Sequence, residues 1–307
     1  MDSANKRDAI VAEVTQNTTP SSPAFKKLRS SGISGSPTRS RLPSPERRPD
    51  RAIAFMAAGL NSYARQIAMP FQRDAATDIL WASVLNSSYS TNVMKNGSTA
   101  SFFTLEQTYE AGATDIYHRD TGCQVNNLSI NFRLGEIGQM MWDIMAMGNS
   151  QATSAIASST YAEPTPAVDP VSSVDVTVSS LFSISTPKVV GLSMQISNNM
   201  AFLHKFGSAD PQGSSLGLFN VTGQVELYFD AAAQYTAFVP YASAQTMSLV
   251  LGSSSGNKDQ FDMSEVDVFD PIVSDPGASG QHILSLKFMG RYDTGDASVF
   301  KITRNVA

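Results

Sequence analysis

The chain has 307 residues, of which 16% are charged, and a formal net charge of −5. This length is sufficient for one large or two ordinary domains with a sizeable core. Cys123 is the only cysteine, so an internal disulfide and a cysteine-based metal cluster are excluded, which fits a reducing cytoplasm. No apolar run approaches the roughly 20 residues that span a bilayer, and the first residues lack an apolar signal core. We therefore expect a soluble chain outside the secretory route.

The charge is divided unevenly along the chain. Residues 1–51 contain ten Lys or Arg and five Asp or Glu, a net charge of +5, which leaves a net charge of −10 for the remainder. A basic arm on an acidic body favours self-assembly, with the arm of one subunit lying on the body of the next. The alternative is an arm that is merely solvated, and charge alone leaves both interpretations open.

The first 60 residues are predicted to form an N-terminal arm with little core of its own. Short strands are predicted over residues 9–14 and 24–28. Residues 30–50 are rich in Gly, Ser, Pro and Arg, which is typical of an extended loop. Deleting residues 1–51 is therefore expected to leave a folded body.

Strands and two short helices are predicted for the rest of the chain. The first helix begins after Asp74, which can cap it, places Asp78 near its positive end, and ends before Asn86. The second begins at Asp230, which can cap it in the same way, and ends before Pro240. Alternation predicts strands over residues 63–72, 100–109, 124–134, 138–147, 174–180, 188–197, 216–229, 245–251, 260–268, 282–292 and 298–303. A turn is expected at Gly112, and residues 124–147 read as a hairpin.

The sequence contains a weak internal repeat. Residues 66–71 precede Asp-Ala-Ala at 74–76, and residues 224–229 precede Asp-Ala-Ala at 230–232, 158 positions later. Residues 128–131 similarly resemble residues 192–195. The repeat predicts two duplicated β modules, with one helix each. The predicted divisions are an arm at 1–60, a first module at 61–148, a linker or exposed loop at 149–172, and a second module at 173–307.

No catalytic, cofactor-binding or metal site is predicted. Residues 213–217 match G-x-S-x-G, but a loop precedes the serine and a strand follows it, which is the wrong context for a hydrolase. Residues 252–258 lack the spacing of a phosphate-binding loop. His118, His204 and His282 are scattered and have no metal-ligand spacing. The arginines of the arm have no interleaved aromatic residues, so they form a weak candidate for nucleic-acid binding.

The order of several segments resembles the tail tube, or major tail, proteins of long-tailed phages. No single motif carries the resemblance, which runs from about residue 9 to residue 304; the 149–172 loop departs from the pattern. The similar segments are residues 18–29, 46–51, 103–106, 117–129, 135–137, 147–148, 223–230 and 301–304.

The resemblance implies a mainly β, antiparallel sandwich or barrel fold with short flanking helices. It implies a structural, non-enzymatic subunit of a siphophage virion tail that is assembled in the host cytoplasm. Its copies would form stacked rings of six modules, from three two-module chains or from six chains, and residues 1–60 would supply inter-ring contacts. The closed β-barrel lumen would hold the tape measure protein and conduct viral DNA during genome ejection, with other tail proteins as partners and no membrane or cofactor.

Two rival functions remain at this stage. The tube of a contractile injection or secretion machine would share the fold and mechanism. A β-sandwich adhesin or carbohydrate-binding module would display clustered exposed aromatic residues. The only tryptophans, Trp81 and Trp142, lie in apolar patterns, which weakens that alternative.

Overall fold

The computed structural model describes residues 6–111, 114–165, 169–275 and 280–306. The fold is mainly β and antiparallel with two short helices, which confirms the predicted class. The predicted turn at Gly112 lies outside the described residues. The strands are β1 (Lys6–Glu13), β2 (Ala24–Lys27), β3 (Gly32–Ser34), β4 (Pro37–Pro43), β5 (Met56–Pro70), β6 (Val93–Lys95), β7 (Phe102–Ala111), β8 (Thr114–Arg133), β9 (Gln139–Ala146), β10 (Gly148–Ala152), β11 (Thr160–Ala162), β12 (Val176–Leu181), β13 (Val189–Ser197), β14 (Ala201–Leu203), β15 (Gly213–Ser215), β16 (Asn220–Tyr228), β17 (Tyr241–Leu251), β18 (Lys258–Ser274), β19 (Ile283–Gly290) and β20 (Lys301–Val306). The helices are α1 (Ala75–Leu85) and α2 (Ala232–Thr236), and a 3-10 turn covers Ser173–Asp175.

One continuous sheet dominates the structure. Its strand order is β3 and β4 end to end, then β5, β9, β8, β13, β16, β19 and β18, with every pairing antiparallel. We call it the eight-position sheet. One side is apolar and buried, and the alternating residues on the other side are exposed or half-buried. This alternation is the period-2 pattern of strands with one wet face.

Two strands are long enough to belong to two layers. β8 pairs with β7 and β10 through its first half, and with β9 and β13 through its second half. β18 likewise pairs with β20 before it joins β19, and with β17 on its other side as far as Phe269. The first half of β8 therefore carries the flanking strands β7 and β10, and β1 pairs with β7. In the same way β18 carries β17 and β20, and β12 pairs with β17.

The two halves of the chain have matching strand topologies. The first half runs β4–β5–β9–β8–β7 across its sheet, and the second runs β13–β16–β19–β18–β17. In each half a helix follows the second of these strands, and a further strand (β1 or β12) pairs with the last. The agreement supports the duplication hypothesis. The resemblance between residues 128–131 and 192–195 has another explanation, because they lie on the adjacent strands β8 and β13, which hold different places in the order.

Helix α1 begins and ends as its sequence predicts. The carboxylate of Asp74 accepts hydrogen bonds from the backbone N–H groups of Ala76 and Thr77, at 2.9 and 2.8 Å. The Thr77 hydroxyl accepts one from the Asp74 N–H at 2.7 Å, which completes a capping box. Asn86 takes a left-handed conformation and ends the helix.

The predicted cap of the second helix is wrong. The N-cap of α2 is Ala231, and the exposed Asp230 side chain instead pairs with Lys188 at 2.9 Å. The backbone N–H groups of Asp230 and Ala231 are satisfied by the Gln234 amide oxygen. A glutamine reaching back from inside the helix thus replaces the expected aspartate cap.

Aromatic side chains join the helix to both halves of the sheet. Trp81 of α1 meets Trp142 of β9 edge to face at 5.2 Å between ring centroids, and meets Phe261 of β18 at 5.5 Å. Phe261 also contacts Phe71 and Phe300. These rings belong to one hydrophobic cluster that includes residues from both halves of the chain. The two halves therefore share a core rather than packing as independent domains.

The N-terminal segment is only partly an arm. β1 pairs along its whole length with β7, and Ala9, Ile10 and Phe25 are fully buried. Deleting residues 1–51 would therefore remove part of the core, contrary to the expectation of an intact body. The longest exposed stretch is the hairpin of β4 and β5, whose first strand is exposed at every residue.

Residues 149–172 contain more regular structure than a loop. β10 pairs antiparallel with β8, and β11 pairs parallel with β2. Both strands are short and poor in large apolar residues, so alternation gives little signal there. Leu134, the last residue of the strand predicted over 124–134, is 61% exposed because the strand ends at Arg133 and Gly135 turns the chain with φ +83°.

A buried ionic cluster joins α1 to the C-terminal strands. Arg73 lies 3.0 Å from Asp259 on β18, and Asp78 lies 2.8 Å from Arg304 on β20. Burial raises the pKa of Asp259 to about 7, because desolvation outweighs the favourable charge of Arg73. The two atoms that form this ion pair, Arg73 Nε and Asp259 Oδ1, are not aligned as a hydrogen bond. Arg73 therefore offsets less of the desolvation cost of the Asp259 carboxylate.

This raised pKa predicts a pH-dependent stability. The folded chain keeps a proton on Asp259 that the unfolded chain, with a pKa of about 3.9, releases. The stabilising contribution is complete below about pH 4 and is lost as the pH rises towards about 7. The free energy of unfolding should therefore fall relative to Asp259→Asn across this range, by a few kcal/mol at ~1.4 kcal/mol per pKa unit. Denaturant titrations of both proteins at several pH values test this, and parallel curves would contradict it.

Candidate functional surfaces

The exposed side of the eight-position sheet is rich in uncharged polar groups. Cross-strand registers align its side chains into rows, one of which runs Asn131, Ser193, Gln224 and Lys287. We call this side the polar face. Its polar members include Gln66, Asn127, Ser129, Asn131, Arg133, Asp143, Ser193, Gln195, Thr222, Gln224, Glu226, Asp267, Ser285 and Lys287, and its apolar members include Met141, Phe269, Ile272 and Met289.

Two of the five charged residues of the polar face form ion pairs with neighbours. Lys287 lies 3.1 Å from Asp270, at the end of its row, and Asp267 lies 3.6 Å from Arg291. Asp143 accepts a hydrogen bond from the Gln66 amide at 2.8 Å. With Glu226 and Arg133 included, the face carries three acidic and two basic residues. It therefore presents hydrogen-bonding groups with only a slight negative balance.

The polar face is concave. A shallow cavity of ≈ 440 Å³ lies on it and spans β8, β13, β16 and β19. Its lining includes Ser129, Asn131, Gln195, Thr222 and Gln224. The sheet is therefore concave on its polar side at this position.

The hairpin of β4 and β5 projects with exposed apolar side chains. Residues 44–55 connect its strands, and we call residues 40–60 the arm tip. Leu42, Ile53 and Phe55 are 57%, 59% and 66% exposed, and Met56 and Leu60 are exposed as well. Apolar groups clustered on a projecting element are typical of a contact surface. Five arginines accompany them, at positions 39, 41, 47, 48 and 51.

The corresponding connection in the second half folds back onto the body. It joins β13 to β16 and contains the small β14–β15 hairpin. The Asp210 carboxylate accepts hydrogen bonds from the Tyr63 hydroxyl and the Asn61 amide, both at 2.6 Å. Burial and this carboxylate raise the pKa of Tyr63 to about 12. The buried Asn198 donates to the carbonyl oxygens of Val84 and Val125.

The two segments that resemble catalytic or phosphate-binding motifs lie in a hairpin and in a turn between strands. Ser215, the serine of the G-x-S-x-G match, lies on β15 in a hairpin, without the strand-to-helix turn of a hydrolase. Residues 252–257 form the turn between β17 and β18. Both segments are connections within antiparallel pairs.

The candidate ligands are dispersed. His118 packs edge to face on Tyr109 at 5.5 Å, and His204 and His282 lie far along the chain in exposed segments. Cys123 is fully buried, and burial raises the pKa of its thiol well above the usual value. Within the described ranges, no group of three or more His, Cys, Asp or Glu is arranged to hold a metal ion.

Comparison with known proteins identifies a family. A family model described as "Phage tail tube protein" matches residues 3–290. The search of curated proteins found no match. The match extends over both halves of the chain and both of the surfaces described above. Among the described residues, no helix is long and apolar enough to cross a membrane.

Proposed function

We propose how this chain, which belongs to the phage tail tube protein family and is a structural protein of the virion tail, builds its tube. Copies join edge to edge through the eight-position sheet, so that the concave polar faces surround a common lumen. The rings then stack through the arm tips. The observation that carries this proposal is a concave, polar sheet whose two ends, β3–β4 and the end of β18, have no further strand beside them in the described residues.

Open edges explain why the sheet should close. A strand edge presents unpaired N–H and C=O groups that pair readily with another chain. Closing a ring pairs both edges of the sheet in every subunit and stops growth in the plane of the ring. A head-to-tail contact forms a closed ring when the rotations between successive subunits add up to a full turn. The apolar groups of the arm tip would be buried only when a second ring is added.

Three chains per ring fit this sheet better than six. Three copies supply 24 strands, which at a spacing of ~4.8 Å give a circumference of about 115 Å and a diameter near 37 Å before strand tilt widens it. Six copies would double both figures and leave the lumen far wider than a DNA duplex. The matching topologies of the two halves also support three chains of two modules, divided approximately at residues 149–172.

The polar face suits a channel for viral DNA and for the tape measure protein. Phosphate groups bind strongly to clustered Lys and Arg, and this face has only two, one of them paired with Asp270. Ser, Asn and Gln side chains keep the lining hydrated without holding the phosphates. We therefore propose conduction of DNA during genome ejection from a long-tailed phage, with no catalytic step.

Negative-stain imaging of the purified chain tests this function. We expect rings or hollow tubes, and the mass of an isolated ring should equal that of three chains. A chain that remains monomeric at high concentration would contradict the proposal. A ring mass of six chains would leave the tube intact as a function but refute the three-chain ring.

A further inference from the structure

We propose that the joint between neighbouring subunits is an antiparallel pairing of β18 with β3 of the next copy, in the register of the joint between β8 and β13 within each chain. The inference rests on the proposed function, because it requires a ring. Beyond that function, it specifies the two sheet edges that meet, the residues that lie opposite each other, and the face of the sheet on which each residue lies.

The joint within the chain provides the template. β8 and β13 pair antiparallel over seven residues, and they connect the two matching halves. Asn131 lies opposite Ser193 on the polar face, and Ile130 lies opposite Met194 on the buried side. If the ring repeats the arrangement of the halves, the joint between chains must have the same geometry.

The cross-strand registers identify the position in β18 that matches Asn131. In the first half, Asn131 lies opposite Gln139, which lies opposite Pro70. In the second half, Ser274 lies opposite Ile283, which lies opposite Tyr228. Pro70 and Tyr228 are 158 positions apart, the spacing of the repeat. Ser274 therefore corresponds to Asn131, and Val273 to Ile130.

The same procedure identifies the position that matches Ser193. Ser193 lies opposite Gln224, and Ser34 lies opposite Gln66, again with 158 positions between the partners. Ser34 therefore corresponds to Ser193. In the joint between chains, Ser274 of one copy should lie opposite Ser34 of the next.

Both edges carry a half-buried apolar residue that this joint would cover. Ile33 and Val273 pack against the main hydrophobic cluster without being fully enclosed by it. Their counterparts, Leu192 and Ile130, are buried at the joint within the chain. In the proposed register Ile33 and Val273 lie on the same side of the sheet, so that the core would continue across the subunit boundary.

Paired cysteines test the register directly. Residues directly opposite in an antiparallel pair have Cα atoms about 4.5–5.5 Å apart, within the range that a disulfide accepts. Tubes or rings of Ser34→Cys/Ser274→Cys, oxidised mildly, should give covalent dimers and trimers on a non-reducing gel, and the ladder should end at three chains. Cys123 is buried and should not contribute.

Three matched variants make the outcome decisive. Asn131→Cys/Ser193→Cys should form the same bond within one chain, run as a monomer, and show that oxidation suffices. Ser34→Cys/Val273→Cys places the two thiols on opposite faces and should cross-link at least tenfold less. Co-assembled single variants, Ser34→Cys with Ser274→Cys, should give dimers only.

Each result separates the joint from the function. Tubes that form without cross-links, while the Asn131/Ser193 control is oxidised, would overturn the joint and leave the tube function standing. Cross-links in the off-register variant at equal yield would overturn the register. Failure of the unmodified chain to form rings or tubes would instead count against the proposed function.

Discussion

Replacing residues 40–60 with Asn-Gly should abolish long tubes while leaving the subunit folded. Arg39 lies opposite Asn61 in the hairpin, so a two-residue turn can join these positions. The removed residues contribute nothing to the buried core, since none of them is buried. The apolar groups that we propose bury between rings would be lost. We expect single rings or short stacks in negative stain, with an unchanged denaturation midpoint.

A single charge introduced into the arm tip should also shorten the tubes. Phe55→Asp would put a carboxylate into the proposed contact between rings, and tube length should fall severalfold. Val14→Asp is the matched control, because Val14 is fully exposed and lies outside the arm tip. Tubes of normal length from the 40–60 replacement would contradict a stacking role for the arm.

Asp120→Ala should destabilise the subunit by about 3–5 kcal/mol, because it leaves a buried guanidinium without its partner. Arg65 on β5 donates from Nε to the fully buried Asp120 carboxylate at 2.7 Å, and Asn149 donates to it at 2.6 Å. The group therefore joins β5, β8 and β10. Denaturant unfolding of the unassembled chain measures the change.

Two further variants distinguish a lost charge pair from lost packing. Asp230→Ala removes a carboxylate from an exposed pair with Lys188 and should change little. Arg65→Met/Asp120→Leu removes both buried charges and should recover most of the loss. If Asp120→Ala costs less than about 1 kcal/mol, the pair does not hold these strands together.

The elements with strong local signals could be predicted from the sequence. The alternation in residues 124–147 identified the β8–β9 hairpin, and Asp74 with Asn86 fixed the ends of α1. The polar face also left a signal, since Ser and Asn alternate with apolar residues along β8, and Ser and Gln do so along β13. What alternation could not supply is which strands become neighbours, because pairing partners lie up to 210 residues apart, as Val93 and Thr303 do.

The failures share a physical cause, which is that tertiary contacts decide weakly patterned segments. β10 and β11 have few apolar residues and exist because β8 and β2 offer edges. β1 reads as part of a basic arm, yet its backbone completes the sheet beside β7. The charge pattern groups residues 1–51 as one basic arm. In the structure, some of these residues are buried in the core and others form the exposed hairpin.

The two connections at equivalent places in the halves have different fates, and this has a consequence for the whole tail. One extends as the arm tip, and the other is tied down by Asp210 on Tyr63 and Asn61. Around a ring of three chains, projecting and retracted loops would alternate. The next ring could then be turned by a third of a revolution but not by a sixth. Each ring of such a tube fixes the rotational position of the next ring. A three-fold component at one end is therefore held in fixed rotational alignment with the other end.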